Sequence, residues 1–142
     1  MTPADDAAPS PTPTAAADGP TVPGAGTRPL TVAVTGVTGY VGGRLVPELL
    51  GAGHRVRAIA RRPERLAGRD WAQHVDLVRA DASDLDQIRE ALHGADVAYY
   101  LSHSHGTGRA FAARDRRTAL TFARAAREAG VGRIVYLGGL FP

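Results

Sequence analysis

LTVAVTGVTGYVGG, residues 30–43, joins a short β-branched run to glycines at Gly36, Gly39 and Gly42, spaced every third residue. A strand that turns sharply into a helix leaves the first backbone N–H groups of that helix without partners. They point at the positive end of the helix dipole, where an anion can sit. Gly36 permits the tight turn. Gly39 lets backbone approach a phosphate with no Cβ in the way, and Gly42, one turn into the helix, lets the helix lie close on the sheet. The backbone N–H groups of Thr38, Tyr40 and Val41 lie on the same turn and are candidate donors, and the Tyr40 ring is a candidate cap over the loop. The stretch therefore reads as a cradle for a pyrophosphate.

Outward from this turn, β-like and helical runs alternate. Strands are expected at 30–35, 55–60, 75–79, 96–101 and 133–137, each short and rich in apolar β-branched or aromatic residues. The first helix, about 40–52, sets Val41, Leu45 and Leu49 at i, i+4 spacing with Val46 and Leu50 beside them, and Gly53 ends it. The pattern is weak over 61–72, where Pro63 opens one helical turn before Trp71. Ser83-Asp84-Leu85-Asp86 resembles a capping box, followed by Leu85, Ile88 and Leu92 on one face and Gly94 as terminator. A long alanine-rich helix over about 110–129 carries Phe111 and Phe122 and stops at Gly130. Five strands separated by helices predict an α/β, doubly wound parallel sheet. Right-handed crossovers and the glycine turn after the first strand give the order 3-2-1-4-5, with a ligand over the carboxyl ends of strands 1 and 4.

Bulk properties narrow the classes. The 142 residues suit one domain and a tail. Residues 1–29 hold seven of the ten prolines and almost no large apolar side chain, so they are expected to stay disordered, with the domain over 30–142. The start lacks the basic and apolar regions of a secretory signal, and no run approaches a membrane span, so a cytoplasmic location without membrane partners is expected. Zero cysteines exclude disulfides and thiolate metal sites. All 17 basic residues are Arg, scattered among Asp and Glu with few aromatics between them, which argues against nucleic acid as the partner of this +3 chain.

Together with the segments RAIARRPERL (57–66), RADASD (79–84), YYLSHS (99–104) and GVGRIVYLGGL (130–140), the turn TGVTGYVGG (35–43) resembles the atypical and extended short-chain dehydrogenase/reductases. Within them the likeness is to the NAD(P)H-binding, NmrA-like and nucleoside-diphosphate-sugar-epimerase-like proteins. It implies a Rossmann-like fold and a dinucleotide cofactor. At the end of the second strand, where many NAD enzymes place an acid for the ribose hydroxyls, this chain has Arg61 and Arg62. A carboxylate there repels a 2′-phosphate whereas an arginine grips it, so NADP(H) is favoured over NAD(H). The resemblance further implies that Asp81 and Ala82 contact the adenine edge, and that Leu101, Ser102 and His103 pass under the ribose and nicotinamide. His103 and His105, in a glycine-rich loop without Cys or a carboxylate pair, do not suggest a metal site.

The catalytic set that the resemblance implies, a Ser after strand 5 and a Tyr-x-x-x-Lys on the next helix, is not found. Strand 5 runs into Leu137-Gly138-Gly139-Leu140, and there is no lysine in the chain. The catalytic residues are therefore unknown. The expectation is an NADP(H)-binding domain of an oxidoreductase or epimerase-like protein, inactive alone, whose substrate domain lies in a missing C-terminal part or a partner chain. The alternative is a non-catalytic NADP(H) redox-sensing or interaction module of NmrA-like type.

Overall fold

The computed structural model describes residues 28–101 and 108–138. Almost all of the expected tail, together with Ser102 and His103, lies outside the described residues. Five strands, β1 (Thr31–Thr35), β2 (Arg55–Ala60), β3 (Asp76–Arg79), β4 (Val97–Tyr100) and β5 (Arg133–Tyr136), form one sheet in the order β3-β2-β1-β4-β5. Every pairing is parallel, with Thr31 opposite Arg55, Val32 opposite Val97, Arg57 opposite Asp76 and Val97 opposite Arg133. The helices are α1 (Tyr40–Gly51), α2 (Leu85–Leu92) and α3 (Arg109–Glu128), and single 3-10 turns at Pro63–Leu66 and Ala72–His74 fill the connection from β2 to β3. The expected α/β order and strand sequence are those observed, with strand ends trimmed by a residue or so. No helix among the described residues is long and apolar enough to cross a membrane.

The two faces of the sheet carry separate cores. On one, Ile88, Ala91 and Leu92 of α2 and Phe122, Ala125 and Ala126 of α3 close over Ala33, Ile59, Ala98 and Tyr100. The alanines let α3 approach closely while Phe122 supplies volume, and full burial of a side chain of its size contributes about 1.5–3 kcal/mol. On the other face, Val46 of α1 joins Val32, Val34, Val37, Val56 and Ala58. Leu66, Trp71 and Ala72 complete this second core, so the connection that shows no periodicity in sequence is anchored by three non-local contacts.

Two local expectations are corrected. On α1, Val41 is exposed and the inward positions are Gly42 and Val46, with Leu45, Leu49 and Leu50 half-buried. The stripe is set by where the helix touches the turn before it, not by which apolar residues repeat. α1 also carries Pro47 in its interior, exposed and without an N–H to give. On α2, the N-cap is Asp84 rather than Ser83: its Oδ1 accepts the Gln87 N–H at 3.1 Å and its Oδ2 accepts from the Gln87 side-chain amide at 3.1 Å. Gln87 stands three residues after Asp84, which is the spacing a capping box needs.

At the opposite end of the sheet from the glycine turn, Asp96 ties the strand starts together. Its Oδ2 accepts the Thr31 N–H at 2.9 Å, its Oδ1 pairs with Arg28 at 3.3 Å, and its backbone carbonyl accepts the Gly132 N–H at 3.1 Å.

Candidate functional site

The carboxyl ends of β1, β2 and β3 bring the glycine turn, Arg61, Arg62, Asp81 and Ala82 to one end of the sheet. At the end of β1 the chain turns at Gly36, whose φ of 72° lies in the left-handed region that only glycine enters cheaply. Buried Thr35 fixes the turn from below by donating its hydroxyl to the Tyr99 carbonyl at 3.2 Å, which links the ends of β1 and β4 on either side of the point where strand order reverses. The Gly39 N–H then donates to the Gly36 carbonyl at 3.1 Å, and Gly39 serves as the N-cap of α1 in extended conformation.

Gly42 has the strictest requirement. A Cβ there would fall inside van der Waals contact with the Gly36 carbonyl oxygen and 2.8 Å from both the Gly36 carbonyl carbon and the Val37 Cα. The first turn of α1 is thus pressed directly on the backbone of the glycine turn. A Cβ on Gly39 would stand 3.3 Å from the same oxygen. The first intrahelical bond runs from the Gly43 N–H to the Gly39 carbonyl at 2.9 Å, so the N–H groups of Tyr40, Val41 and Gly42 precede the ladder. No side chain caps this end, and no acid occupies the first turn. The arrangement fits a pyrophosphate: open donors, a positive dipole end, no competing carboxylate, and no side chain at Gly39 or Gly42.

Thr38, Tyr40 and Val41 are exposed around this opening. The Tyr40 ring does not close over the loop. It is 75% exposed, with the Arg44 guanidinium 4.5 Å from its centre, an i, i+4 cation–π pair on the helix surface.

Arg61 and Arg62 emerge exposed at the end of β2. The Arg61 backbone is latched to β3: Arg79 donates to the Arg61 carbonyl at 3.1 Å and to the Glu64 carboxylate at 2.9 Å. The Glu64 carboxyl is held below its ordinary range by its own backbone N–H and then by Arg79, with Arg62 adding a smaller pull.

Asp81 follows β3 and is half-buried. Its Oδ1 accepts both the Ser83 N–H at 2.9 Å and the Ser83 hydroxyl at 2.7 Å, while its backbone N–H donates to the Gln87 side chain at 3.1 Å. The two Ser83 bonds keep the carboxyl ionised below the usual aspartate range, and the charge of Arg61 contributes further. Asp81 is therefore held as a rigid anion between Arg61 and the start of α2, with Ala82 half-buried beside it. Leu101 is buried in the core on the α1 side. The other two nominated residues of that strand end, Ser102 and His103, are not among the described residues.

Three features were not legible in the sequence. The latch from Arg79 to Glu64 depends on strand pairing, and the Asp81–Ser83 bonds on the local turn that the chain takes after β3. Arg69, from the β2–β3 connection, lies against α1, where a Cβ on Gly43 would stand 3.3 Å from its Nη1. Elsewhere, an open groove of about 610 Å³ lies between β3 and α2, lined by Arg57, Val78, Gln87 and His93 among others. Arg57 is committed there to the Ala91 and His93 carbonyls, at 2.7 Å each. None of the lining residues belongs to the glycine turn.

The chain is similar to several known proteins. A divinyl chlorophyllide a 8-vinyl-reductase of Oryza sativa is 37% identical over 122 residues, covering 78% of this chain and 30% of that protein. An uncharacterised protein of Mycobacterium tuberculosis is 34% identical over 106 residues, 74% of this chain but 12% of its own length. The structure of a Citrobacter triphenylmethane reductase complexed with NADP(H) matches with a TM-score of 0.66 at 26% identity, over 78% of this chain and 38% of that one. The chain thus spans well under half the length of these relatives. The sequence pattern of a family described as NAD(P)H-binding matches residues 36–141, from the first glycine of the turn to beyond β5. The chain belongs to that NAD(P)H-binding family.

Proposed function

We propose that these residues form the NADP(H)-binding portion of an atypical short-chain dehydrogenase/reductase or epimerase-like oxidoreductase, cytoplasmic, with the substrate-binding part supplied by further chain or a partner. The observation that carries the reading is the close packing of Gly42 on Gly36, with the first N–H groups of α1 uncapped at the carboxyl end of the sheet. The preference for a 2′-phosphate rests on exposed Arg61 and Arg62 where a ribose-binding acid would otherwise stand. A relative that binds NADP(H) at 26% identity is consistent with it. Asp81, with Oδ2 clear of the Ser83 bonds, is assigned to the adenine edge together with the Ala82 backbone, and Leu101, Ser102 and His103 to the nicotinamide side.

The share of chemistry left to residues elsewhere follows from two facts. No lysine occurs in these residues, so a Tyr-Lys proton relay cannot be assembled from them. On β5 and just after it, Ile134, Tyr136 and Leu137 are exposed, although strands of parallel sheets are ordinarily covered on both faces. Titration with NADPH and with NADH, followed by nicotinamide fluorescence, tests the proposal. Saturable binding at least tenfold tighter for NADPH, worth about 1.4 kcal/mol, is expected. Equal affinity for both would refute the 2′-phosphate reading, and binding of neither would refute the assignment as a whole.

A further inference from the structure

Arg69 is anchored through its backbone and free at its tip. Its N–H donates to the Leu66 carbonyl at 3.0 Å and its carbonyl accepts the Ala72 N–H at 3.0 Å, while Leu66 and Ala72 are both buried in the core beneath α1. Among the described residues its guanidinium makes no hydrogen bond and no ion pair. It lies over Gly43: the point where a Cβ would stand is 3.3 Å from Nη1, 3.7 Å from Cζ, and 3.7 Å from the carbonyl of Val37, the residue after Gly36. The Arg69 cation therefore lies beside the glycine turn, on a helix surface kept clear by a fourth glycine.

The arginines at the end of β2 lie near carboxylates, Arg61 beside Asp81 and Arg62 beside Glu64. Arg69 belongs to the same β2–β3 connection as Arg61 and Arg62, and the point over Gly43 that its guanidinium approaches also lies 3.7 Å from the Val37 carbonyl of the glycine turn. We propose that Arg69 is a third arginine of the pocket for the adenosine 2′-phosphate, resting on Gly43 until a phosphate engages it and setting the preference for NADPH over NADH. This deepens the proposed function and rests on it. A guanidinium offers a rigid fork of donors to phosphate oxygens, and one that makes no hydrogen bond or ion pair among the described residues has that fork available.

The test compares R69Q and R69K with the wild-type chain, titrating NADPH and NADH separately, with R55Q at the far end of β2 as a control for lost charge. R69Q is expected to weaken NADPH at least fivefold and leave NADH within twofold, R69K to fall between, and R55Q to change neither. Unchanged NADPH affinity in R69Q, in a wild-type chain that prefers NADPH, would overturn the role of Arg69 and leave the proposed function standing. Equal weakening of both nucleotides would also overturn it, since Arg69 would then serve the fold or the pyrophosphate. A wild-type chain that binds neither nucleotide would instead overturn the reading beneath it.

Discussion

Replacing Gly42 with alanine separates backbone packing from helix propensity. Alanine in a helix interior is favoured over glycine by about 0.8–1.0 kcal/mol, so propensity alone predicts a gain. Against it, the new Cβ would overlap the Gly36 carbonyl oxygen and stand 2.8 Å from the Gly36 carbonyl carbon and the Val37 Cα. All three are backbone atoms, with no flexible end to give way. Contacts this short against three backbone atoms put the cost at the upper end of the usual 1–3 kcal/mol, about 2–3, so G42A is expected to lose roughly 1–2 kcal/mol net. In a domain of this size that lowers Tm by about 5–10 °C. Relief requires α1 to lift from the turn, which carries the N–H groups of Tyr40 and Val41 away from the pyrophosphate, so NADPH affinity should fall at least tenfold. G43A is the matched control. Its Cβ meets Arg69 Nη1 at 3.3 Å, the movable end of a long side chain, so it should be neutral or stabilising by up to about 1 kcal/mol. Urea denaturation of both variants, with nucleotide titration alongside, reads both effects. Wild-type stability in G42A, or equal destabilisation in G43A, would refute the packing argument.

R61Q combined with R62Q should weaken NADPH tenfold or more while changing NADH by less than threefold, measured by fluorescence titration. D84A removes the two hydrogen bonds to Gln87 that cap α2 and should cost about 0.5–2 kcal/mol in urea unfolding, whereas S83A should cost less because Ser83 caps nothing. The carboxyls of Asp81, Asp96, Glu64 and Glu128 all have folded pKa values below their ordinary ones. The unfolded chain therefore binds more protons in acid, and Tm should hold above about pH 5 and fall as pH drops through the carboxylate range and below. Tyr100 has the opposite sign, its phenol being pushed up to about 12 by burial, with Asp115 and Tyr136 adding to it. Its contribution is intact below about pH 10, the ordinary tyrosine value, and should be lost as pH rises toward 12, visible as a second decline in Tm.

The strand order was legible because parallel strands joined by right-handed crossovers, with a glycine turn after the first, admit few alternatives. The inward face of α1 was harder to read. Val41, Leu45, Val46, Leu49 and Leu50 are all apolar, so periodicity does not select among them. The choice falls to Gly42, the position where the helix meets backbone. Ser83 and Asp84 are equally good caps in isolation, and Gln87 three residues after Asp84 decides between them. For the site, glycines and the arginines at the end of β2 announce themselves by residue type and place in the strand–helix order. Arg69 does not, because its approach to Gly43 depends on Leu66, Trp71 and Ala72 burying a connection that has no period to read.

The central claim is that a dinucleotide lies on the glycine turn. Backbone amide chemical shifts of the isotope-labelled chain, followed during NADPH addition, test it residue by residue. The largest changes are expected at Gly36, Thr38, Gly39, Tyr40, Val41 and Gly42, with a second set at Arg61, Arg62 and Asp81. Changes centred instead on Arg57, Val78, Gln87 and His93, in the groove between β3 and α2, would contradict the account.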